Sequence, residues 1–435
     1  MTETTDTVLP FMKGNYAPVA DELTAFDLPV EGAIPGELNG WYLRNGPNPR
    51  ETSGHWFTGD GMVHGVRLQN GRAAWYRNRW VRTDSFDKPF PLYNADLTRN
   101  LRASVANTHV IRHAGKTLAL VESSLPYQIT NELETLGAYD FNGKLLDSMT
   151  AHPKICPVTG ELHFFGYGSL TAPFVTYHRA DATGELTINR AVDVKAHTMM
   201  HDFALTASHV IFMDLPVVFN LDVALRGERD MPYRWDDDYG ARFGVMDRDD
   251  PFGAIRWFEI DPCYVFHVAN AYDDGNSIVL QAVRYPELWR HDGGFEVDAV
   301  MWRWTIDLAT GTVEERQLDD RAVEFPRIDD RLAGLPATYG IAVGDGSLVQ
   351  YHLETGAAQE HRFAGRGEPG EAVFVPADST VDERAGWYLT YVYNPVRTGS
   401  DLVILDASDI TAEPVARVRL PQRVPHGFHG NWLSD

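Results

Sequence analysis

The amino-acid sequence predicts an all-β fold, and three observations favour a β-propeller. Segments with the periodicity of amphipathic helices are scarce. Apolar, β-branched and aromatic runs, such as Val300–Ile306, are followed by short polar turns that end in glycine. Successive glycines of these turns are 72, 41, 127 and 45 residues apart, and the second and last separations match the period of about 40–50 residues of a four-stranded blade. The glycines are Gly71, Gly143, Gly184, Gly311 and Gly356.

Each of these turns predicts a hairpin, because a glycine supplies the positive φ that a three- to five-residue hairpin loop requires. Seven blades would use about 50–60 residues each, with insertions, and propellers usually have four to eight blades. No Ser/Gly-rich linker or shift in composition divides the chain. We therefore predict one propeller domain over residues 1–435, with residues 1–13 as a flexible N-terminal segment.

The composition excludes several classes of partner. The chain has 435 residues, of which 44% are hydrophobic and 23% charged, a balance typical of globular proteins. Its formal net charge of −23 argues against nucleic acid, because binding phosphates requires a basic surface. The same charge argues against docking onto anionic lipid. We expect no nucleic acid and at most weak peripheral contact with a membrane, and the oligomeric state stays open.

Cysteine content and the N-terminal residues predict a cytoplasmic location. The two cysteines, Cys156 and Cys263, are too few for a disulfide framework and are typical of a reducing compartment. The segment Met1–Pro10 has neither the basic nor the apolar region of a signal peptide. The longest apolar stretch, His209–Leu225, is interrupted by Asp214 and other polar residues. We therefore predict no transmembrane segment.

Four histidines in strand-like contexts are the candidate metal ligands. They are His152, His201, His267 and His429. Neutral imidazoles suit a first-row metal such as Fe, Zn or Cu. Because these residues lie tens of positions apart, one local loop cannot supply them, whereas the inner strands of a propeller converge on a common axis.

Two local patterns are alternatives to this set. His197 and His201 have the H-x-x-x-H spacing that would place both side chains on one face of a helix for zinc, although the glutamate of that motif is absent. His352 and Glu354 have the H-x-E spacing of an iron site with two histidines and one carboxylate. The second pair belongs to one of the repeated turns, where polar residues are expected.

Several motifs follow one another in a specific order along the chain. They are Leu43–Pro49, Trp56–His64, His152-Pro153-Lys154, Met200-His201-Asp202-Phe203, Phe266-His267 and Phe428-His429-Gly430. Together they resemble the signature of the carotenoid cleavage oxygenase family, over residues 14–432. This resemblance implies a seven-bladed propeller with Fe(II), the Fe(2+) cofactor of the family, on its central axis. The implied ligands are the four histidines.

The resemblance also implies roles for four residues around the ligands. Glu122, Glu324 and Glu371 match the glutamates that hold the N–H groups of the ligating imidazoles. This role agrees with general coordination chemistry, since a ligating histidine usually donates its second N–H to a carboxylate. Thr108 resembles a residue that partly blocks one open coordination position.

The predicted site indicates an oxidative reaction on an alkene. Four neutral imidazoles leave up to two positions of an octahedral Fe(II) open, so that O2 can be a co-substrate. No site for 2-oxoglutarate, pterin or flavin is apparent in the sequence. The electrons for O2 activation would then come from an electron-rich C=C bond. Cleavage of that bond by a non-haem iron dioxygenase would give two carbonyl products.

The substrate class follows from departures within the family pattern. Stilbene-cleaving members resemble one another in holding a phenol with a Tyr and a Lys, and the matching positions here are Phe86 and Val121. Phe57, Phe86 and Val121 are therefore expected to line an apolar substrate tunnel. A carotenoid or apocarotenoid is the favoured substrate. A stilbene or phenylpropene such as isoeugenol is the alternative, and a propeller that binds a carotenoid without turnover is a more remote one.

Overall fold

The computed structural model describes residues 10–51, 55–96, 98–226, 231–295, 297–377 and 380–435. Seven antiparallel sheets of four to six strands form the blades of a propeller. This confirms the predicted all-β, seven-bladed architecture.

The blades are numbered from the one that contains both ends of the chain. Blade 1 consists of Thr24–Phe26, Gly40–Pro47, Gly61–Gln69, Arg72–Trp80 and Gly430–Ser434. Blade 2 consists of His109–His113, Lys116–Leu120, Tyr127–Ile129 and Thr135–Ala138, and blade 3 of Lys154–Ile155, Leu162–Tyr167, Val175–Ala180 and Leu186–Val192. Blade 4 consists of Ala204–Leu205, His209–Asp214, Ala241–Asp247 and Arg256–Ile260. Blade 5 consists of Val268–Asp274, Ser277–Arg284, Val300–Asp307 and Val313–Gln317; blade 6 of Glu324–Arg327, Tyr339–Gly344, Ser347–His352 and Ala358–Arg362; blade 7 of Val30–Gly32, Glu368–Pro369, Val373–Pro376, Gly386–Asn394, Gly399–Asp406 and Ala416–Arg419.

A small insertion interrupts blade 4. It contains a two-stranded hairpin, Val217–Phe219 with Tyr233–Trp235, and the six-residue α-helix Leu221–Arg226. No helix among the described residues is long and apolar enough to cross a membrane. Short 3-10 turns are Pro10–Met12, Gly14–Tyr16, Trp56–Thr58, Asp330–Leu332 and Ala364–Arg366.

The two ends of the chain close the ring of blades. The C-terminal strand Gly430–Ser434 pairs with Gly40–Pro47 inside blade 1. The N-terminal strand Val30–Gly32 pairs with the last strand of blade 7.

The sequence predicts a flexible N-terminal segment over residues 1–13, and this stays a prediction. Residues 1–9 lie outside the described residues. Residues 10–12 form a 3-10 turn, and the ring of Phe11 packs edge-on against Tyr16 with a centroid distance of 5.7 Å.

The predicted hairpin glycines have the backbone conformation that their turns require. All five have φ between +71° and +87°. At Gly356 a Cβ atom would also lie 2.2 Å from the backbone oxygen of Leu318, so this turn excludes a side chain on two grounds. The hairpin prediction is confirmed at four of the five turns and is wrong at Gly143, which lies in the connection between blade 2 and blade 3.

Aromatic side chains pack between neighbouring blades and hold them around the axis. Trp304 of blade 5 is fully buried, and its ring lies edge-on to Phe243 of blade 4 at 5.5 Å. Tyr177 of blade 3 meets Phe212 of blade 4 in the same way at 5.8 Å. Because such contacts bury large apolar areas, they set the angle between blades and thus the positions of the inner strands.

Trp304→Ala is expected to lower the free energy of unfolding by about 3–5 kcal/mol, because it leaves a cavity between two blades. The indole N–H has no hydrogen-bond partner among the described residues, so the loss is one of packing. Chemical denaturation measures the change. Phe252, whose ring is 68% exposed, provides the control, and Phe252→Ala should leave stability nearly unchanged. An equal effect of both changes would contradict this assignment.

Candidate metal centre

The four candidate histidines stand at the beginnings of inner strands. His152 and His201 precede the inner strands of blades 3 and 4, and His267 and His429 directly precede those of blades 5 and 1. Neighbouring inner strands contact one another, for example those of blades 4 and 5. Because the inner strands of a propeller run in one direction along the axis, their first residues meet at one end.

The other three inner strands also contribute predicted site residues at this end. Thr108 directly precedes the inner strand of blade 2, Glu324 begins that of blade 6, and Glu371 precedes Val373–Pro376 of blade 7. Glu122 differs, since it follows the second strand of blade 2. A predicted site residue therefore lies at the start of the inner strand in each of the seven blades, and the carboxylate of Glu122 is added from a second strand.

The imidazoles converge closely. The ligand nitrogens of His152, His201 and His267 all lie within 4.8 Å of one another. His429 does not belong to the group of ligand nitrogens within 4.8 Å of one another. Its ring centroid is nevertheless 4.5 Å from that of His152 and 4.9 Å from that of His267. All four side chains are buried.

Three carboxylates orient three of the rings through their Nδ1 atoms. Oε2 of Glu324 accepts a hydrogen bond from Nδ1 of His267 at 2.5 Å, and Oε1 of Glu371 accepts one from Nδ1 of His429 at 2.9 Å. Oε2 of Glu122 lies 2.6 Å from Nδ1 of His201, although the angle there is poor for a hydrogen bond. The carboxylates assign the proton to Nδ1 in each ring, which leaves the Nε2 lone pair free.

The free nitrogens face a common space that fits a metal ion. Nε2 of His267 is buried and has no hydrogen-bond partner within the described part of the chain. Nε2 of His152 and Nε2 of His201 are 2.9 Å apart. If His201 carries its proton on Nδ1, its Nε2 directs a lone pair towards His152. A buried cluster of imidazole lone pairs is unfavourable unless a cation occupies it, so these residues fit a resident metal.

The electrostatics keep two of the rings in the form that binds metal. Burial, and then the neighbouring imidazoles, hold the pKa of His152 well below its usual value. Burial and the rings of His267 and His201 lower the pKa of His429 in the same way. Both imidazoles are therefore neutral at ordinary pH, and only a neutral imidazole has a lone pair for coordination.

Each carboxylate has its own outer partner, and sequence reasoning assigned no role to any of them. The hydroxyl of Tyr167 donates to Glu122 at 2.6 Å, and that of Tyr285 donates to Glu324 at 3.1 Å. Arg327 donates to Oε2 of Glu371 at 3.1 Å. Of these three partners, Arg327 alone lies close in the sequence to a predicted site residue, three positions after Glu324.

The metal centre lies beside a large cavity of about 930 Å³. His201, His267 and His429 line it, and most other lining side chains are aromatic or aliphatic. Its volume lies in the upper range of small-molecule sites. Five further predicted site residues line this cavity, namely Phe57, Thr108, Val121, Glu122 and Glu324.

Phe86 does not line the cavity, in contrast to the predicted tunnel. Its ring is buried against Trp80 at 6.3 Å, and the guanidinium of Arg50 lies 3.7 Å above its centroid. The neighbouring residue Ser85 lines the cavity instead. Cation–π contact with Arg50 holds the phenyl ring on the far side of the loop, which a match by sequence position could not reveal.

Neither local alternative forms a metal site among the described residues. Residues 197–203 are not helical, and His197 stacks on Phe219 with a centroid distance of 4.8 Å. His352 lies at the end of the third strand of blade 6, where its ring meets Tyr339 edge-on. Both histidines therefore have packing roles.

One further histidine lies near the centre. The ring of His109 is 5.2 Å from that of His429, and its Nδ1 hydrogen-bonds to the backbone oxygen of Ala151. Burial, followed by the neighbouring imidazole of His429, lowers its pKa to about 3. Sequence reasoning did not single out this residue, because its context resembles an ordinary strand.

Comparison with known proteins agrees with this geometry. Residues 16–434 match the family described as retinal pigment epithelial membrane protein. The chain is 39% identical to a carotenoid cleavage oxygenase of Mycobacterium tuberculosis, over 97% of each protein.

Two solved structures share the complete fold. The lignostilbene dioxygenase of Pseudomonas brassicacearum has a TM-score of 0.88 and 29% identity, with 98% of each chain covered. The cobalt-substituted apocarotenoid oxygenase of Synechocystis has a TM-score of 0.86 and 28% identity, covering 96% of this chain and 97% of that one. With the family match and the identity to curated relatives, the chain belongs to the carotenoid cleavage oxygenase family.

Proposed function

We propose that this protein is a non-haem Fe(II) dioxygenase that uses O2 to cleave a C=C bond of a carotenoid or apocarotenoid. The observation that carries the proposal is a cluster of buried imidazoles with carboxylate partners that opens into a large apolar cavity. The 39% identity to a carotenoid cleavage oxygenase supports the substrate class.

We propose His152, His201, His267 and His429 as the iron ligands, with Glu122, Glu324 and Glu371 as their hydrogen-bond partners. Three of the four rings have a carboxylate at Nδ1. A donor set of neutral imidazoles suits Fe(II), although the same donors would also accept other first-row metals. Bound iron would supply the activation of O2.

The residues of the chain position the alkene and exclude water. Phe57 packs against Phe428 with centroids 5.5 Å apart, and Phe266 packs edge-on to His201 at 5.1 Å. These rings form an apolar part of the cavity wall beside the ligands. Holding the double bond in a fixed position there contributes several kcal/mol, because it replaces a bimolecular encounter with a single bound geometry.

The reaction needs no additional reductant. The σ and π bonds of one C=C unit break, the O–O bond breaks, and two C=O bonds form. The two carbons are oxidised while O2 is reduced, so that all electrons come from the alkene. This balance agrees with the absence of an apparent reductant site in the sequence.

The alternative substrate is a stilbene or phenylpropene. The likeness to lignostilbene dioxygenase favours this alternative. Val121 opposes it, because this residue lines the cavity where stilbene-cleaving members resemble one another in having a lysine. A phenol placed there would lose its hydrogen bonds to water without gaining a partner from this side chain.

We expect kcat/KM for an apocarotenal to exceed that for a 4-hydroxystilbene by about tenfold or more. The reason is the desolvation of the phenol, which costs about 1–3 kcal/mol on the protein-mutational scale. Steady-state kinetics and O2 uptake on both substrates measure the ratio. Preference for the hydroxystilbene would overturn the substrate class and leave alkene cleavage standing. Binding of the apocarotenal without O2 uptake would indicate a non-catalytic propeller.

We also propose one propeller domain for the whole chain and a cytoplasmic location. The pairing of both chain ends within blade 1 and blade 7 supports the single domain. The two buried cysteines form no disulfide, which supports a reducing compartment.

A further inference from the structure

One arginine lines the apolar cavity without a carboxylate partner. Arg99 is half-buried and belongs to the loop between blades 1 and 2, whose residues form one side of the cavity. Within the described part of the chain, no Asp or Glu oxygen lies within ion-pair distance of its guanidinium.

The guanidinium is nevertheless held in place. Nε of Arg99 donates to the backbone oxygen of Ser123 at 3.0 Å, and Nη1 donates to the hydroxyl of Tyr93 at 3.1 Å. The hydroxyl of Tyr93 in turn donates to the backbone oxygen of Gly168 at 3.1 Å. All four residues line the cavity. The cation is therefore preorganised on the cavity wall.

Several of its donors are unused. A guanidinium has five N–H groups, and two of them make the hydrogen bonds described. Nη2 donates to no group within the described residues. The carboxylate of Glu122, which lines the same cavity, accepts a hydrogen bond from Tyr167 and lies beside His201.

We propose that Arg99 binds the oxygen-bearing end of the substrate, so that this enzyme acts on apocarotenoids with a terminal carbonyl or carboxylate group. The inference rests on the proposed alkene cleavage and specifies its substrate. A planar cation with free N–H groups recognises carbonyl and carboxylate oxygens through charge-assisted hydrogen bonds. Most of the remaining cavity wall is aromatic or aliphatic and suits the polyene. His201, His267 and His429 line the same cavity, so a substrate anchored at Arg99 reaches the metal centre.

The same cation opposes a hydrocarbon end. A hydrocarbon packed against the guanidinium would remove water from its unused N–H groups, which is costly. This cost is offset when an acceptor oxygen arrives, and a hydrocarbon end cannot offset it. Arg99 therefore discriminates against hydrocarbon substrates as well as favouring oxygenated ones.

Kinetics on three substrates of equal length test the proposal: an apocarotenal, the corresponding apocarotenoic acid and the hydrocarbon. The wild-type enzyme should prefer the acid and the aldehyde to the hydrocarbon by about tenfold or more in kcat/KM. Arg99→Leu should abolish this preference, mainly through a higher KM, because the anchor is remote from the reacting bond. Arg102→Leu is the matched control, since Arg102 is in the same loop but does not line the cavity.

A binding measurement separates this proposal from the proposed function. Quenching of tryptophan fluorescence by the apocarotenoic acid in metal-free protein reports affinity without turnover. Its Kd should rise about tenfold or more in Arg99→Leu and stay unchanged in Arg102→Leu. Arg99→Gln removes the charge with a smaller change in shape and provides the same test if the leucine variant does not fold. Equal affinity of wild type and both Arg99 variants would overturn the role of Arg99. If the wild type cleaved none of the three substrates, the proposed function would be overturned instead.

Discussion

His267→Ala is expected to abolish stoichiometric metal binding and with it O2-dependent cleavage. The imidazole of His267 is one of the three whose ligand nitrogens lie within 4.8 Å of one another, and its Nε2 has no partner among the described residues. Loss of an outer hydrogen-bond partner commonly reduces metal affinity ~10–100-fold, and loss of a ligand should exceed this range. Elemental analysis after dialysis against a weak chelator measures the bound iron.

His352→Ala is the matched control for this experiment. His352 lies in blade 6, where its ring meets Tyr339 edge-on, so its loss should leave bound metal unchanged. The same variant tests the H-x-E alternative with Glu354. Undiminished iron in His267→Ala would exclude the proposed ligand set, and loss of iron in His352→Ala would favour the alternative.

Glu371→Gln should give the second largest effect. The carboxylate is 2% exposed and accepts hydrogen bonds from Nδ1 of His429, from the backbone N–H of Gly430 at 2.8 Å and from Arg327. The amide retains the shape but removes the negative charge that favours a nearby cation. We expect a loss of ~10–100-fold in metal affinity. Stability should also fall by about 1–3 kcal/mol, because one N–H group and Arg327 lose an acceptor.

Glu324→Gln provides the comparison within the site. Its carboxylate contacts His267, Tyr285 and a backbone N–H but no arginine, so the loss of stability should be smaller than for Glu371→Gln. Glu354→Gln, at an exposed turn, is the control for the chemical change itself. Competition with a chelator and thermal denaturation measure the two effects. If Glu324→Gln and Glu371→Gln both left metal affinity unchanged, the proposed role of the carboxylates would be wrong.

Local patterns in the sequence were sufficient to predict the class of fold. Each recurring glycine turn is a short-range feature, since the positive φ at Gly184 or Gly311 is determined by the few residues of its own hairpin. The alternation of apolar strands with such turns repeats at the blade period. A blade is formed by residues close together in the chain, and for this reason the propeller could be predicted.

The four histidines could be nominated from the sequence because each has a distinctive local context at the start of a strand. Their convergence needed only the general geometry of a propeller, in which inner strands meet at the axis. The carboxylates beside them required the family resemblance, because nothing local distinguishes Glu324 from a solvated glutamate at the end of a strand.

Only the tertiary structure decided which side chains surround these residues. Phe86 faces Arg50 instead of the cavity, whereas Arg99 reaches the cavity wall and bonds to Ser123 from another part of the chain. Arg327 of blade 6 donates a hydrogen bond to Glu371 of the neighbouring blade 7. These contacts depend on the rotation of each blade and on the path of long loops over the ring. Both are set by packing between residues distant in sequence, such as Trp304 against Phe243, and no local pattern encodes them.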